Sequence, residues 1–198
     1  MSKITSAAAP KAARHSMTTR TLAGCALLAA MSVVLARFVI PMPAVDQRFS
    51  LEAVPIFIAG MLFGPIPGAL VGFSADLVGC LFSGYGYNPL FCVPPILYGL
   101  SAGLFRPLLL KKTTPLTIGL SFLPPVALGS ILYQSATLAY VYGKGAFLPN
   151  FLVKLSTRSV QFAITFVLDV LVVYLLYKSK VFTAVHLWPA AQKTEDKE

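Results

Sequence analysis

The chain has 198 residues, of which 57% are hydrophobic and only 12% charged, against roughly a quarter charged in an average soluble domain. This is the composition of a membrane protein with no room for a soluble domain. The net charge of +9 does not point to nucleic acid, because the basic residues sit in tails and short loops and form no stripe with interleaved aromatics.

Residues 1–19 carry Lys3, Lys11, Arg14 and His15 among Ser, Ala and Pro, a polar composition that predicts a disordered cytoplasmic tail. The membrane domain is expected over 20–178. Its first apolar run, Thr21 to Val39, is nearer a full span of about 20 residues than a secretory signal core, so it reads as an uncleaved first helix. Small residues fall on it in two sets, Ala26 and Ala30 on one side, Cys25, Ala29, Ser32 and Ala36 on another. Small faces invite a partner helix. Arg37 ends the helix close to the Ala26 and Ala30 side, and the sequence leaves open which face meets a partner.

A Pro-containing loop over 40–50 leads to helix two, about 51–63, which is interrupted by Pro55 and short enough to be tilted, kinked or only partly spanning. The stretch from Gly60 to Gly79 then reads as a tight helical hairpin. Pro65 and Pro67 stop one helix from running through, and Pro67 suits the first turn of helix three, about 66–82. Gly60 and Gly64, and again Gly68 and Gly72, are four apart, so each pair lines one helix side and lets another backbone come close. Asp76 follows Gly72 by four, on that same small-residue face. Gly64, Gly68, Gly72 and Asp76 are therefore expected to be structural.

The loop from Ser83 to Pro89 combines glycines with Tyr85, Tyr87 and Asn88, a shaped and aromatic turn. Helix four is expected over about 90–109 and helix five over about 116–142, kinked at Pro124 and Pro125 unless neighbours satisfy the freed carbonyls. Helix six is expected over about 151–177, before a polar tail at 179–198. Six helices put both tails on one face with 11 of the 16 Lys and Arg, leaving 5 (Arg37, Arg48, Lys144, Lys154, Arg158) on the other. Both termini are thus expected to be cytoplasmic, with the loops at 40–50, 83–90 and 143–150 together on the outer side. The fold class is an all-α integral membrane protein, a six-helix transmembrane bundle.

Helix six spaces Lys154, Arg158, Gln161, Thr165 and Asp169 by four, three, four and four, which draws one polar stripe. Ionisable groups in hydrocarbon are costly unless paired or wet, so the stripe faces the bundle interior or a cavity. Helix five adds Ser130, Gln134 and Thr137, readable as helix contacts or ligand contacts. Tyr98 on helix four, with Tyr87, Asn88 and Phe91 before it, fits an interfacial belt or an aromatic pocket. Arg37 and Arg158 are suited to binding a carboxylate bidentately, or to pairing with Glu52 and Asp76. Cys25, Cys80 and Cys92 lack Cys-x-x-Cys spacing and nearby histidines, and read as small buried residues. His15 and His186 lie in the tails, so no histidine-based metal site or catalytic triad forms inside the bundle. There is no phosphate-cradling Gly-x-x-x-x-Gly-Lys loop, so any ATP hydrolysis must come from another chain. A small membrane enzyme and a ligand-free membrane scaffold are the rival classes.

Leu62-Phe-Gly-Pro65, continued as Gly68, Gly72, Asp76 and Gly79, with Tyr98-Gly99 and Gly103-Leu-Phe further on, resembles the substrate-binding S components of energy-coupling factor (ECF) vitamin transporters, most closely their folate group. Arg37, Ala26 with Ala30, and Arg158 add to the likeness, which covers about 20–178. The resemblance implies a bacterial plasma-membrane subunit, not an enzyme and without a cofactor, that binds a vitamin in an outward pocket. It also implies a complex with a scaffold transmembrane subunit and two ATPases, with Ala26 and Ala30 facing the scaffold. For folate, the expected ligand residues are Arg37, Tyr87, Asn88, Phe91, Tyr98, Gln134, Arg158 and Gln161, with no metal. After Pro89 the chain reads Leu90-Phe-Cys-Val-Pro-Pro where the folate group has a run containing Gly-Phe-Thr, a departure that bears on the ligand more than on the class.

Overall fold

The structure, a computed structural model, describes residues 19–37, 40–41, 48–49, 51–82, 87–111, 113–142 and 147–179. The two tails lie almost entirely outside these residues, as do Tyr85 and Lys144. Helix α1 is Thr19–Leu35, and Ile40–Pro41 (β1) pairs antiparallel with Arg48–Phe49 (β2), Ile40 opposite Phe49. This two-residue ladder ties together the ends of what the sequence reads as an open loop. Helices α2 (Ala53–Phe63) and α3 (Pro65–Leu81) form the expected hairpin. A 3-10 turn at Pro89–Cys92 leads into α4 (Val93–Leu104), followed by a short α5 (Arg106–Lys111). Helix α6 (Pro115–Pro124), a π-helical stretch at Pro125–Tyr133 and α7 (Gln134–Tyr142) run on as one rod of 28 residues, and α8 (Phe147–Lys178) has 32. These last two rods are long and apolar enough to cross a bilayer.

Helix α2 organises the bundle. Every residue from Ala53 to Phe63 is buried, as expected of a helix that is apolar all round. Its 11 residues span only roughly 16 Å, which suits an element covered by protein on all sides. Pro55 does not interrupt it, because the helix starts at Ala53 and a first-turn proline removes no intrahelical hydrogen bond. Phe57 stacks on Phe122 of α6 with ring centroids 3.8 Å apart, and Tyr98 of α4 meets Phe122 edge-on at 6.0 Å.

The glycines bring three backbones together, not two. A Cβ on Gly68 would fall 2.6 Å from the Gly99 carbonyl oxygen and 2.9 Å from the Gly60 nitrogen. One on Gly60 would overlap the Gly99 carbonyl and come within 2.9 Å of Ala102 Cβ, and one on Gly72 would run into Pro95. Gly99 and Gly103 on α4 are thus the counterparts of the hairpin glycines. The expected pairing of Gly60 with Gly64 along one helix face is corrected: Gly64 is the turn itself, at φ 103°, a conformation that disfavours any residue with a Cβ.

Two boundaries and the interior of helix five differ from expectation for reasons of proline chemistry. Helix four breaks at Phe105, because Pro107 has no N–H to offer the Gly103 carbonyl. Helix six starts at Phe147, a turn early, since Pro149 sits third in the helix where no donor is needed. Pro124 and Pro125 withdraw two donors from helix five, and the rod absorbs this as π turns, Gln134 N–H bonding to the Gly129 carbonyl five residues back. The Ser121 carbonyl, which Pro125 leaves without its helical donor, accepts the Ser101 hydroxyl at 2.6 Å.

Candidate functional site

The stripe on α8 faces inwards. Arg158 is 9% exposed and Asp169 1%, with Gln161 and Thr165 also buried, so the periodicity read from sequence matches the packed face. Around Arg158 the bundle assembles a polar cluster from three rods. Its Nε donates to the Ser130 carbonyl at 3.3 Å, Nη2 donates to Gln134 Oε1 at 2.8 Å, and the guanidinium carbon lies 5.0 Å from the centre of the Phe162 ring. Tyr98 joins through Ser130, whose hydroxyl lies 3.0 Å from the phenol oxygen. Tyr98, Gln134 and Arg158 are therefore brought together, with Gln161 on the same face one turn further in. Among the described residues no carboxylate forms an ion pair with Arg158. A buried cation held only by neutral acceptors and an aromatic face retains much of its cost of desolvation.

Arg37, Tyr87, Asn88 and Asp76 form a second group at the end of α3. Arg37 is exposed and its Nη2 donates to the Gly79 carbonyl at 2.7 Å, which ties the end of α1 to α3 and leaves Asp76 to another donor. Of the two uses the sequence left open for Asp76, pairing with an arginine is not the one formed: the Cys92 thiol donates to its Oδ2 at 2.7 Å. Tyr87 Oη lies 3.1 Å from Cys92 Sγ, so Tyr87, Cys92 and Asp76 form a chain from loop to helix. The Cys92 hydrogen bond pushes the Tyr87 phenol up to about 12, so it stays protonated at neutral pH. Asn88 spends its side-chain oxygen on capping the 3-10 turn, accepting Leu90 N–H at 3.1 Å. Phe91 sits half-buried in that turn.

A cavity of about 280 Å³ opens beside these groups, lined by Leu90, Tyr133, Ala136, Thr137, Tyr140 and Phe147. Thr137, read from sequence as a helix or ligand contact, lines it, but none of the eight residues expected to bind folate does. Asp169 lies 11 positions beyond Arg158 on α8, roughly 16 Å along the helix. Its Oδ1 is buried without a hydrogen-bond partner among the described residues, and it takes no part in the Arg158 cluster.

On α1, Cys25 and Ser32 are buried, with the Ser32 hydroxyl on the Glu52 carbonyl at 2.8 Å. Ala26 and Ala30 are exposed, beside Leu22, Leu27 and Met31. The helix-one set that packs inwards is thus the Cys25 and Ser32 set. Sequence reasoning missed Phe162 and Cys92. Phe162 was findable, being one turn from Arg158 on the same helix; Cys92 was not, since only folding brings it to Asp76.

Comparison with known proteins bears on what these groups do. Residues 16–180 match the family described as ECF-type riboflavin transporter, S component. Among solved structures, the chain is similar to FolT bound with folic acid, with 29% identity, a TM-score of 0.69 and coverage of 82% of this chain and 96% of that one. The S component for biotin from an ECF-type ABC transporter shares the fold at a TM-score of 0.57 and 19% identity, over 82% of this chain and 95% of that one. The "Uncharacterized protein MG098 homolog" of Mycoplasma pneumoniae is 36% identical over 64 residues, 32% of this chain and only 13% of that protein's length.

Proposed function

Because the chain belongs to the family of ECF-type riboflavin transporter S components, we propose that it is the substrate-binding membrane subunit of an ECF-type vitamin importer and that its ligand is folate or a related pterin. It is an integral membrane protein of that class. The observation that carries the ligand is Arg158, a buried guanidinium bonded to Ser130 and Gln134 and facing no described carboxylate. Such a cation gains most from a ligand that brings a carboxylate. Folate brings two, and riboflavin none. The likeness to FolT over nearly its whole length supports the same choice.

In this reading Arg158 meets a glutamate carboxylate, with Gln134 and Gln161 beside it and Arg37 at the outer rim. Tyr87 and Phe91 supply flat faces for the heterocycle, Asn88 its amide N–H groups, and Tyr98 holds Ser130 in place. Both termini lie in the cytoplasm, residues 1–19 and 179–198 form tails to a 20–178 membrane domain, and the membrane is a bacterial plasma membrane. The chain has no catalytic role of its own. ATP is hydrolysed by two ATPase subunits joined through a scaffold that meets α1 at Ala26 and Ala30.

A second reading, riboflavin, is favoured by the description of the family itself. Titrating the purified chain in detergent with folate, riboflavin and biotin separates them. Saturable folate binding far tighter than that of the other two is expected; tight riboflavin binding without folate binding would move the assignment to the second reading.

A further inference from the structure

Folate and riboflavin present different hydrogen-bonding edges, and the α3 end of the bundle holds a group able to tell them apart. A pterin ring offers two adjacent donors, the 2-amino group and N3–H. The flavin ring offers N3–H between two carbonyl oxygens, one donor flanked by acceptors. An ionised carboxylate only accepts, at both of its oxygens, so it suits a pair of donors and repels a carbonyl placed beside it.

Asp76 is such a carboxylate. It is half-buried on α3, and its Oδ2 accepts from the Cys92 thiol, a weak donor. Among the described residues Oδ1 accepts no hydrogen bond, and the nearby cation Arg37 is bonded to the Gly79 carbonyl instead. Tyr87, bonded to the same sulfur, leaves 42% of its surface exposed beside the acid. One turn further along α3, a Cβ on Gly79 would meet nothing within 4 Å. A weakly satisfied acid, with one oxygen that accepts no hydrogen bond among the described residues, and an exposed aromatic side chain thus meet at one place.

We propose that Asp76 is the residue that selects a donor–donor heterocycle edge over a flavin edge, its carboxylate receiving the 2-amino and N3–H groups of a pterin while Tyr87 lies along the ring. Cys92 holds the carboxylate in place until the ligand arrives and yields one oxygen to it. This deepens the folate reading and rests on it. It also gives a physical reason for a chain whose family description names riboflavin to take a pterin.

The test uses the full chain with three ligands: folate, riboflavin, and a folate analogue whose 2-amino group is replaced by methyl. Wild-type protein is expected to bind the analogue about 10- to 100-fold more weakly than folate, the loss typical of a hydrogen bond to a charged group. Asp76→Asn offers one acceptor and one donor, which matches the flavin edge. It is expected to weaken folate binding by about the same factor, to abolish the preference for folate over the analogue, and to strengthen riboflavin binding. A purely structural Asp76 would weaken all three ligands together and leave their ratios unchanged, and that result overturns the proposal. Because the analogue is measured on wild-type protein, the proposal stays testable even where Asp76→Asn misfolds: equal binding of folate and analogue by wild type overturns it. Wild-type protein that prefers riboflavin to folate overturns the folate reading itself, and the role of Asp76 with it.

Discussion

Gln134 accepts the Arg158 Nη2–H at 2.8 Å across the contact between α7 and α8. The two side chains meet because the π stretch at Pro125–Tyr133 widens the turns before Gln134 and so sets the angle at which α7 presents it. A polar pair is thereby fixed deep in an apolar bundle, with the guanidinium oriented by neutral partners and available to an anion.

Replacing Arg158 tests that availability. Arg158→Met keeps the volume and removes the charge, so folate binding is expected to fall about 10- to 100-fold, with little loss of thermal stability because a buried, unneutralised cation is removed. Arg158→Lys is expected to recover only part of the loss, since an ammonium cannot reproduce the forked contacts to Ser130 and Gln134. Calorimetric titration with folate and with a pterin lacking the benzoylglutamate tail checks the assignment. The variants should lose affinity for the first and not for the second.

Tyr98→Phe removes the hydroxyl that lies 3.0 Å from Ser130 Oγ while keeping the edge contact to Phe122. The expected cost is about 1 kcal/mol of stability, read as a lower melting temperature in detergent, with folate affinity changed only a few-fold. A complete loss of binding would place Tyr98 directly on the ligand.

The glycine contacts predict opposite outcomes for the same substitution at two sites on α3. Gly68→Ala drives a methyl group against the backbones of α2 and α4 and is expected to destabilise by about 1–3 kcal/mol or more. Gly79→Ala meets nothing within 4 Å and should be neutral or stabilising by about 0.5–1 kcal/mol through helix propensity. Melting curves of the two variants side by side measure the difference.

Ala26 and Ala30 are exposed on α1, so Ala26→Trp with Ala30→Trp is expected to leave folding and folate binding intact while abolishing co-purification with the scaffold and ATPase subunits. Retained co-purification would move the partner surface to another helix.

The sequence alone determined the membrane class, the order of six helical rods, the hairpin at Gly64 and the inward face of α8. Each of these follows from local chemistry: apolar run length, proline and glycine punctuation, and helical spacing of polar residues within one segment. Tertiary structure decided the rest. That α4 is the third member of the glycine contact, that Cys92 and not an arginine holds Asp76, and that Ser101 satisfies the carbonyl freed by Pro125 all depend on residues far apart in the chain. Their meeting is set by the rotation of one helix against another, and small residues permit such close approach without specifying which backbone arrives. The π stretch adds the same kind of freedom, because two prolines announce a disturbance in the rod while the surrounding packing decides how the rod turns to bring Gln134 to Arg158.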